Sequence, residues 1–367
     1  MYRRVAGVGL ALTMLVAGCG HSSSTSQGPA TSSTPVPSVA TSSTRAASAT
    51  SQAARDFPDP HTLRGLTEVP ELPDPKPVEG SSAQKLPVTV TDVEGNKVTI
   101  KSTSRILALD LYGTLSRTLI GLGLGDKIVG RTVSSTEKQL HDRPVVTENG
   151  HVLNVEAVAG LKPSVIIADR SVGPKEALDQ LRKSGIPVVL VDPHRSVGST
   201  PQLIRTIADA VGKPDAGEAL VKRTQEQIDQ AKKQIAAWKP AKPMRVAFLY
   251  VRGNAGVFFI LGSENGASEL IQGVGADDVA SDKGITTLVP ANAESLVSIN
   301  PDAIFVMRDG LASTGGMKGL LARAGVANTT AGRKQRVISI PDGISLSFGP
   351  QTGEVLTAVA KALYGVK

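Results

Sequence analysis

Two side chains able to bind a metal or an anion lie next to each other near the end of an apolar run. Residues 246–253 predict a strand, and alternate side chains of a strand point to one face, so Tyr250 and Arg252 share a face. They come just before Gly253, and ligands of open α/β sheets bind outside the carboxyl ends of the strands. Taken alone, the pair is also compatible with a core tyrosine and an arginine that caps the sheet edge.

A histidine elsewhere in the chain completes a pair of metal ligands. His151 stands in a loop that feeds a predicted helix, whereas His141 and His194 have no such placement and are interpreted as surface residues. Imidazole and phenolate are both axial ligands of haem iron. A tyrosine ordinarily has a pKa of about 10, so ligation at neutral pH needs ferric iron and benefits from a neighbouring guanidinium such as that of Arg252. We therefore expect His151 and Tyr250 to be the iron ligands, although a lone loop histidine is commonly only a surface residue.

An internal repeat indicates that two similar halves position these ligands. Residues 154–166 are matched 138 positions later by residues 292–304, with Asn, Glu, Pro and Ile at identical offsets. Each copy predicts an asparagine-capped helix followed by a buried strand. Between the copies, residues 215–238 predict one helix of roughly 36 Å. The expected fold is α/β, with two Rossmann-like lobes joined by one long helix and a ligand cleft between the lobes. Residues 257–261 are expected to line the faces of the haem tetrapyrrole.

Composition divides the chain into five predicted segments. Residues 1–18 carry Arg3 and Arg4 before an apolar run too short to span a membrane, which predicts a signal peptide. Residues 19–85 are rich in Ser, Thr and Pro and predict a tether, of which residues 56–84 either lie over the domain or have no fixed structure. The other predicted segments are an N-terminal lobe (86–213), a linking helix (214–240) and a C-terminal lobe (241–367).

Charge and motifs exclude several classes of function. The net charge of +7 falls to +5 without the two signal-peptide arginines, and this excess suits anionic propionates or a cell surface. No basic cluster with interleaved aromatic residues is present, so nucleic acid is not an expected partner. H-E-x-x-H, G-x-S-x-G and P-loop motifs are absent, so an enzyme is not expected. Two alternatives stay open, namely a binding protein for a ferric siderophore or corrinoid, and an envelope enzyme such as a haem oxidase or metallohydrolase.

The only cysteine, Cys19, ends a segment that resembles a bacterial lipobox, Leu-Val-Ala-Gly-Cys. The resemblance implies cleavage before Cys19, attachment of diacylglycerol to its thiol, and a location on the outer side of the cell membrane. Because no second cysteine exists, the chain has no internal disulfide.

The lobed plan resembles the class III (cluster A) substrate-binding proteins of ABC importers for haem, cobalamin and siderophores. More narrowly, Gly150-His151 with the following Asn-x-Glu, and the block F-L-Y-V-R-G-N-A-G-V-F-F-I-L-G at residues 248–262, resemble the haem-binding lipoproteins of corynebacterial Hmu haem-uptake systems. The resemblance implies haem ligation by His151 and Tyr250, assisted by Arg252, with Met307 in the cleft. A further cleft tyrosine of that family has no counterpart around residues 286 and 287, which are both threonine.

The same resemblance gives a role to two acids of the repeat. It implies that Glu156 and Glu294, one per lobe, dock into arginines of the permease, where pairing of charges sets register and association rate. Alternatively, both residues are simply acids in the first turn of a helix, where their charge complements the helix dipole. The resemblance thus implies a monomeric, non-enzymatic haem carrier, whose partners are the permease and ATPase of an ABC importer and other cell-surface haem-binding proteins.

Overall fold

The structure is a computed structural model that describes residues 57–79, 84–253 and 256–367. Cys19, the predicted signal peptide and the predicted tether up to residue 56 lie outside the described residues. Within the described ranges, no helix combines the length and the apolar character needed to cross a bilayer.

Strands and helices alternate along most of the described chain. The strands are β1 (Leu66–Glu68), β2 (Val88–Thr91), β3 (Lys97–Ile100), β4 (Ile106–Leu109), β5 (Ile128–Gly130), β6 (Thr147–Glu148), β7 (Val152–Leu153), β8 (Val165–Ala168), β9 (Val188–Leu190), β10 (Arg245–Arg252), β11 (Val257–Ile260), β12 (Asp277–Asp278), β13 (Val289–Pro290), β14 (Ala303–Met307) and β15 (Val337–Ile340). The helices are α1 (Thr114–Gly121), α2 (Val155–Gly160), α3 (Lys175–Lys183), α4 (Thr200–Ala210), α5 (Pro214–Trp238), α6 (Ala267–Gly273), α7 (Ala293–Ile299), α8 (Arg308–Ser313), α9 (Gly316–Leu321), α10 (Thr330–Lys334), α11 (Asp342–Ser345) and α12 (Thr352–Tyr364).

The N-terminal half is built on a parallel sheet with the strand order β5-β4-β8-β9. Its central strand β4 is completely buried, and successive side chains enter two different apolar clusters. Helices α1 and α4 cover one face, and α2 and α3 cover the other. Burial on both faces explains why these strands are continuous apolar runs in the sequence.

The C-terminal half is built on a mixed sheet with the order β1-β15-β14-β10-β11-β13, and β12 pairs with β10 outside this path. Strands β1, β15, β14 and β10 are parallel, and β11 is antiparallel to both of its neighbours. Val246 and Phe248 enter one apolar cluster, and Ala247, Leu249 and Val251 enter the other. The α/β fold with helix-covered parallel strands is therefore confirmed.

The single helix α5 joins the two halves. At 1.5 Å per residue its 25 residues extend over roughly 37 Å. Leu220 and Val221 near its start belong to an N-terminal core cluster, whereas Ala231 and Ile235 near its end belong to a C-terminal one. One rigid element thus packs on both cores and fixes their spacing.

The internal repeat has the same local structure in both copies. Asn154 and Asn292 each cap a helix, and each side-chain oxygen accepts a 2.9 Å hydrogen bond from the backbone N–H three residues on. After each helix, Lys162 and Asn300 take positive φ values of 46° and 35° at equivalent offsets. Strands β8 and β14 follow, as the repeat predicts.

Residues 57–79 pack on the domain, which is the first of the two alternatives given for residues 56–84 of the predicted tether. Strand β1 is an edge strand parallel to β15, and its Leu66 lies opposite Val337. Further along, the side chain of Asp74 accepts hydrogen bonds of 2.8 and 2.9 Å from backbone N–H groups at residues 138 and 139 in the N-terminal half. Backbone pairing fixes this segment despite its proline-rich composition.

Candidate functional site

Tyr250 and Arg252 lie side by side at the carboxyl end of β10. Both side chains are half-buried, and Tyr250 packs on the edge of the cluster that holds Phe248. The guanidinium carbon of Arg252 lies 5.1 Å from the centre of the Tyr250 ring, within the range of a cation–π contact. The strand alternation therefore brings the two residues together as expected.

Two further residues hold the guanidinium of Arg252 in this position. Its Nη2 lies 3.4 Å from the Sδ of Met307 and 3.5 Å from the Oδ2 of Asp342. The Nη1 is buried and has no hydrogen-bond partner among the described residues. A Cβ at Gly310 would lie only 2.5 Å from Nη1, so the absence of a side chain there makes room for the guanidinium. The guanidinium of Arg252 is thus held in place while one of its donor groups stays without a described partner.

Asp342 has an unusual protonation equilibrium. Burial raises the pKa of this carboxyl from its ordinary value of 3.8 to about 6, and the Arg252 guanidinium opposes the rise. The carboxylate of Asp309 raises the pKa further, while the Asp309 backbone N–H donates a 3.1 Å hydrogen bond to Oδ1 of Asp342. Asp342 therefore ionises close to neutral pH, directly beside Arg252.

His151 lies at the carboxyl edge of the N-terminal sheet. It is exposed in the turn between β6 and β7, and its carbonyl oxygen accepts a 2.9 Å hydrogen bond from Gly173. Gly173 also accepts a 2.7 Å bond from the Leu153 N–H, and it follows the carboxyl end of β8. Within the described ranges the His151 ring makes no hydrogen bond or ion pair, so both of its nitrogens are available to a ligand.

The carboxyl edges of the two sheets meet at a junction between the halves. Gly343, just after β15, approaches Thr136 of the N-terminal half so closely that a Cβ would lie 1.9 Å from the threonine Oγ1. From the same half, the Arg117 Nε donates a 3.2 Å hydrogen bond to the Gly343 carbonyl oxygen. His151 stands on one of these edges and Tyr250 on the other. The two predicted iron ligands therefore come from different halves of the chain.

Only part of the apolar run at residues 257–261 faces Tyr250. Phe259 is paired with Tyr250, and Val257 with Arg252, so these two side chains share the face of the site. Phe258 and Ile260 point to the opposite face and belong to the other core cluster. The expectation that the whole run lines a tetrapyrrole is therefore wrong for Phe258 and Ile260.

The remaining predicted residues lie on the surface of the two halves. Glu156 and Glu294 are exposed in the first turns of α2 and α7, and neither makes an ion pair with a described residue. Thr286 and Thr287 are exposed in a loop whose backbone crosses Gly262. In the described part of the chain, no group of three or more His, Cys, Asp or Glu side chains is placed to hold a metal ion.

Sequence reasoning missed a buried acidic cluster at the carboxyl edge of the N-terminal sheet. Arg195 forms an ion pair with Asp169, and its Nη2 lies 3.8 Å from Asp110. Burial and the Asp169 carboxylate raise the pKa of Asp110 to about 7, against the effect of Arg195. Tyr112 packs on Arg195, with 5.8 Å from the guanidinium carbon to the ring centre. Aspartates directly after apolar runs, as at 110, 169 and 342, were the signal available in the sequence.

A groove of the C-terminal half lies away from these residues. Its cavity volume is about 760 Å³, and it is lined by residues of the 63–72 segment, α5 and α12. Buried Arg336 borders it and donates hydrogen bonds to the carbonyl oxygens of Ala362 and Leu363 at the end of α12. The negative pole of that helix offsets the arginine charge.

Comparison with known proteins relates the chain to binding proteins of transport systems. A solved structure of the heme binding protein HmuT is 49% identical, covers 84% of this chain and 100% of its own, and superimposes with a TM-score of 0.83. The heme-binding protein RhuT of Roseiflexus sp. RS-1 is 32% identical, with 72% and 99% coverage and a TM-score of 0.67. The uncharacterized ABC transporter substrate-binding lipoprotein YvrC of Bacillus subtilis (strain 168) is 27% identical over 280 residues, which are 76% of this chain and 86% of YvrC.

Solved variants of HmuT carry alanine in place of a histidine, a tyrosine or an arginine. In HmuT the histidine precedes the tyrosine by 99 positions, and the arginine follows the tyrosine by two. His151 and Tyr250 are likewise 99 positions apart, and Arg252 follows two positions later. The family model for periplasmic binding proteins matches residues 111–343, well over half of the sequence. The chain therefore belongs to the periplasmic binding protein family.

Proposed function

We propose that the protein binds haem between its two halves and delivers it to the permease of an ABC importer. The observation that supports this proposal is the set His151, Tyr250 and Arg252, which comes from both halves and is spaced in the sequence like the three residues substituted in HmuT. The 49% identity to HmuT supports the same ligand.

The proposed ligand chemistry follows from the side chains. The phenolate oxygen of Tyr250 and an imidazole nitrogen of His151 occupy the two axial positions of ferric haem. The guanidinium of Arg252, already over the Tyr250 ring, stabilises negative charge on the ligating oxygen. Met307 holds the guanidinium through its sulfur and borders the site. With both axial positions filled, the iron has no open position for a substrate, which supports a carrier rather than an enzyme.

Apolar side chains on both edges suit the faces of a tetrapyrrole. Leu111 and Val133 follow β4 and β5 at the N-terminal carboxyl edge and are 37% and 49% exposed. Phe259 and Val257 stand on the Tyr250 face of the opposite half. Covering exposed apolar surface contributes about 25 cal/mol per Å². Ligand binding would thus cover apolar groups that otherwise face water.

We extend the proposal to the partners and location of the protein. Glu156 and Glu294, exposed at equivalent places of the repeat, dock into basic residues of the permease, one from each half. Cys19 carries the lipid that holds the protein at the outer side of the membrane. The lipobox-like sequence and the lipoprotein relative YvrC support the anchor.

A titration with three ligands tests the function. The purified chain is titrated with ferric haem, cyanocobalamin and ferric desferrioxamine, and Tyr250→Ala serves as the site variant. The proposal expects a Soret band that saturates with haem only, is strongly weakened in Tyr250→Ala, and is accompanied by no haem turnover under reducing conditions. Saturable binding of the corrinoid or the ferric chelate instead of haem would replace the proposed ligand, and turnover would assign an enzyme.

A further inference from the structure

Tyr112 is a second tyrosine at the junction of the two halves. It lies in the loop between β4 and α1 at the carboxyl edge of the N-terminal sheet. Its ring packs against the C-terminal core cluster, whose partly buried fringe also includes Tyr250 and Met307. Tyr112 thus belongs to one half by sequence and packs against the core of the other half.

The side chain of Arg195 packs against the ring of Tyr112. The guanidinium of Arg195 lies 5.8 Å from the ring centre. Arg195 is itself almost fully buried, pairs with Asp169 and donates to the Asp192 carbonyl oxygen. Because the contacts of Arg195 are fixed, the Tyr112 ring is already ordered. It therefore loses little conformational freedom when it binds a ligand.

The hydroxyl of Tyr112 has no hydrogen-bond partner among the described residues, although Tyr112 is half-buried. Burial and the nearby carboxylates of Asp169 and Asp110 raise the pKa of Tyr112, with Arg195 opposing them. The phenol therefore keeps its proton at neutral pH and offers a donor, in contrast to a tyrosine that ligates iron as a phenolate.

We propose that Tyr112 is a further ligand-binding residue, whose hydroxyl donates a hydrogen bond to a carboxylate of the bound ligand. This inference rests on the proposed function, since haem brings two propionate carboxylates into the cleft. The protonated phenol complements an anionic oxygen without adding a charge of its own. A hydrogen bond to a charged group is among the stronger ones that a protein makes.

The test compares two variants and two ligands. Tyr112→Phe removes only the hydroxyl, and haem dimethyl ester has both propionates blocked. Affinities for ferric haem and for the ester are measured by Soret titration in the full chain. We expect Tyr112→Phe to bind haem about tenfold more weakly than the parent does. We expect the variant and the parent to bind the ester equally tightly. Tyr364→Phe is the matched control, because it removes a buried hydroxyl that donates to Val274 and lies in α12.

The outcomes separate this inference from the proposed function. A Tyr112→Phe variant with parent-like haem affinity overturns the inference and leaves the proposed function intact, provided that the parent binds haem. Equal weakening toward haem and the ester also overturns it, because that result assigns a purely structural role to the hydroxyl. A parent chain that binds neither ligand overturns both. Urea unfolding midpoints of both variants show whether the fold is retained.

Discussion

Replacing Asp342 by Asn should stabilise the protein above pH 6 and change little near pH 4. The folded-state pKa of Asp342 is about 6, against an ordinary value of 3.8. Because the folded pKa is raised, the fold favours the protonated acid. The contribution of protonated Asp342 to the free energy of unfolding is fully present below about pH 4 and is lost as the pH rises through 6. Asparagine has no proton to lose, so the variant avoids that loss.

The size of the effect follows from the shift. About two pKa units at 1.36 kcal/mol each give an upper value of about 3 kcal/mol in the free energy of unfolding at pH 8. The Oδ2 of Asp342 now lies 3.5 Å from the Nη2 of Arg252. In the variant, the amide N–H₂ group at this position would face the N–H groups of the guanidinium. We therefore expect a gain of about 1–3 kcal/mol at pH 8, after this repulsion is subtracted.

Urea denaturation at pH 4 and pH 8 measures this gain. The control is Asp282→Asn, which changes an exposed carboxyl that makes no ion pair with a described residue. The expected result is a pH-dependent difference for Asp342→Asn and none for the control. A variant that is less stable than the parent at pH 8, or equally shifted at both pH values, would show that Asp342 is not a strained carboxylate beside Arg252.

Three predictions concern function. Tyr250→Ala should weaken haem binding by more than the roughly 10- to 100-fold that outer-shell partners of a metal cost, and a parent-like Soret titration would refute the ligand assignment. His151→Ala should shift the Soret maximum while it retains some haem binding; an unchanged spectrum would remove His151 from the site. The double variant Glu156→Gln, Glu294→Gln should bind haem as the parent does but deliver it poorly to the permease in proteoliposomes, so normal transport would contradict the docking role.

The sequence predicts well those features that depend on local periodicity. The period of two along β10 puts Tyr250 and Arg252 on one face, and the structure finds them 5.1 Å apart. The caps at Asn154 and Asn292 follow from the preference of asparagine for helix starts, and both form the expected hydrogen bond. These features need no information about distant parts of the chain.

Features set by distant pairing escape the same reasoning. Strand β1 has three residues, too few for a periodic signal, and only its partner β15 at the other end of the chain makes it a strand. The register between β10 and β11 decides that Phe259 and not Phe258 faces Tyr250, and that register depends on the pairing of the two strands, which neither strand's own pattern reveals. Asp342 reaches Arg252 across 90 residues of sequence, through the parallel order of β15, β14 and β10.

A crystal structure of the chain loaded with ferric haem tests the central claim most directly. The account predicts one haem between the two halves, with its iron bonded to the Oη of Tyr250 on one side and to an imidazole nitrogen of His151 on the other. A haem bound elsewhere, or an iron ligated by other side chains, would contradict it.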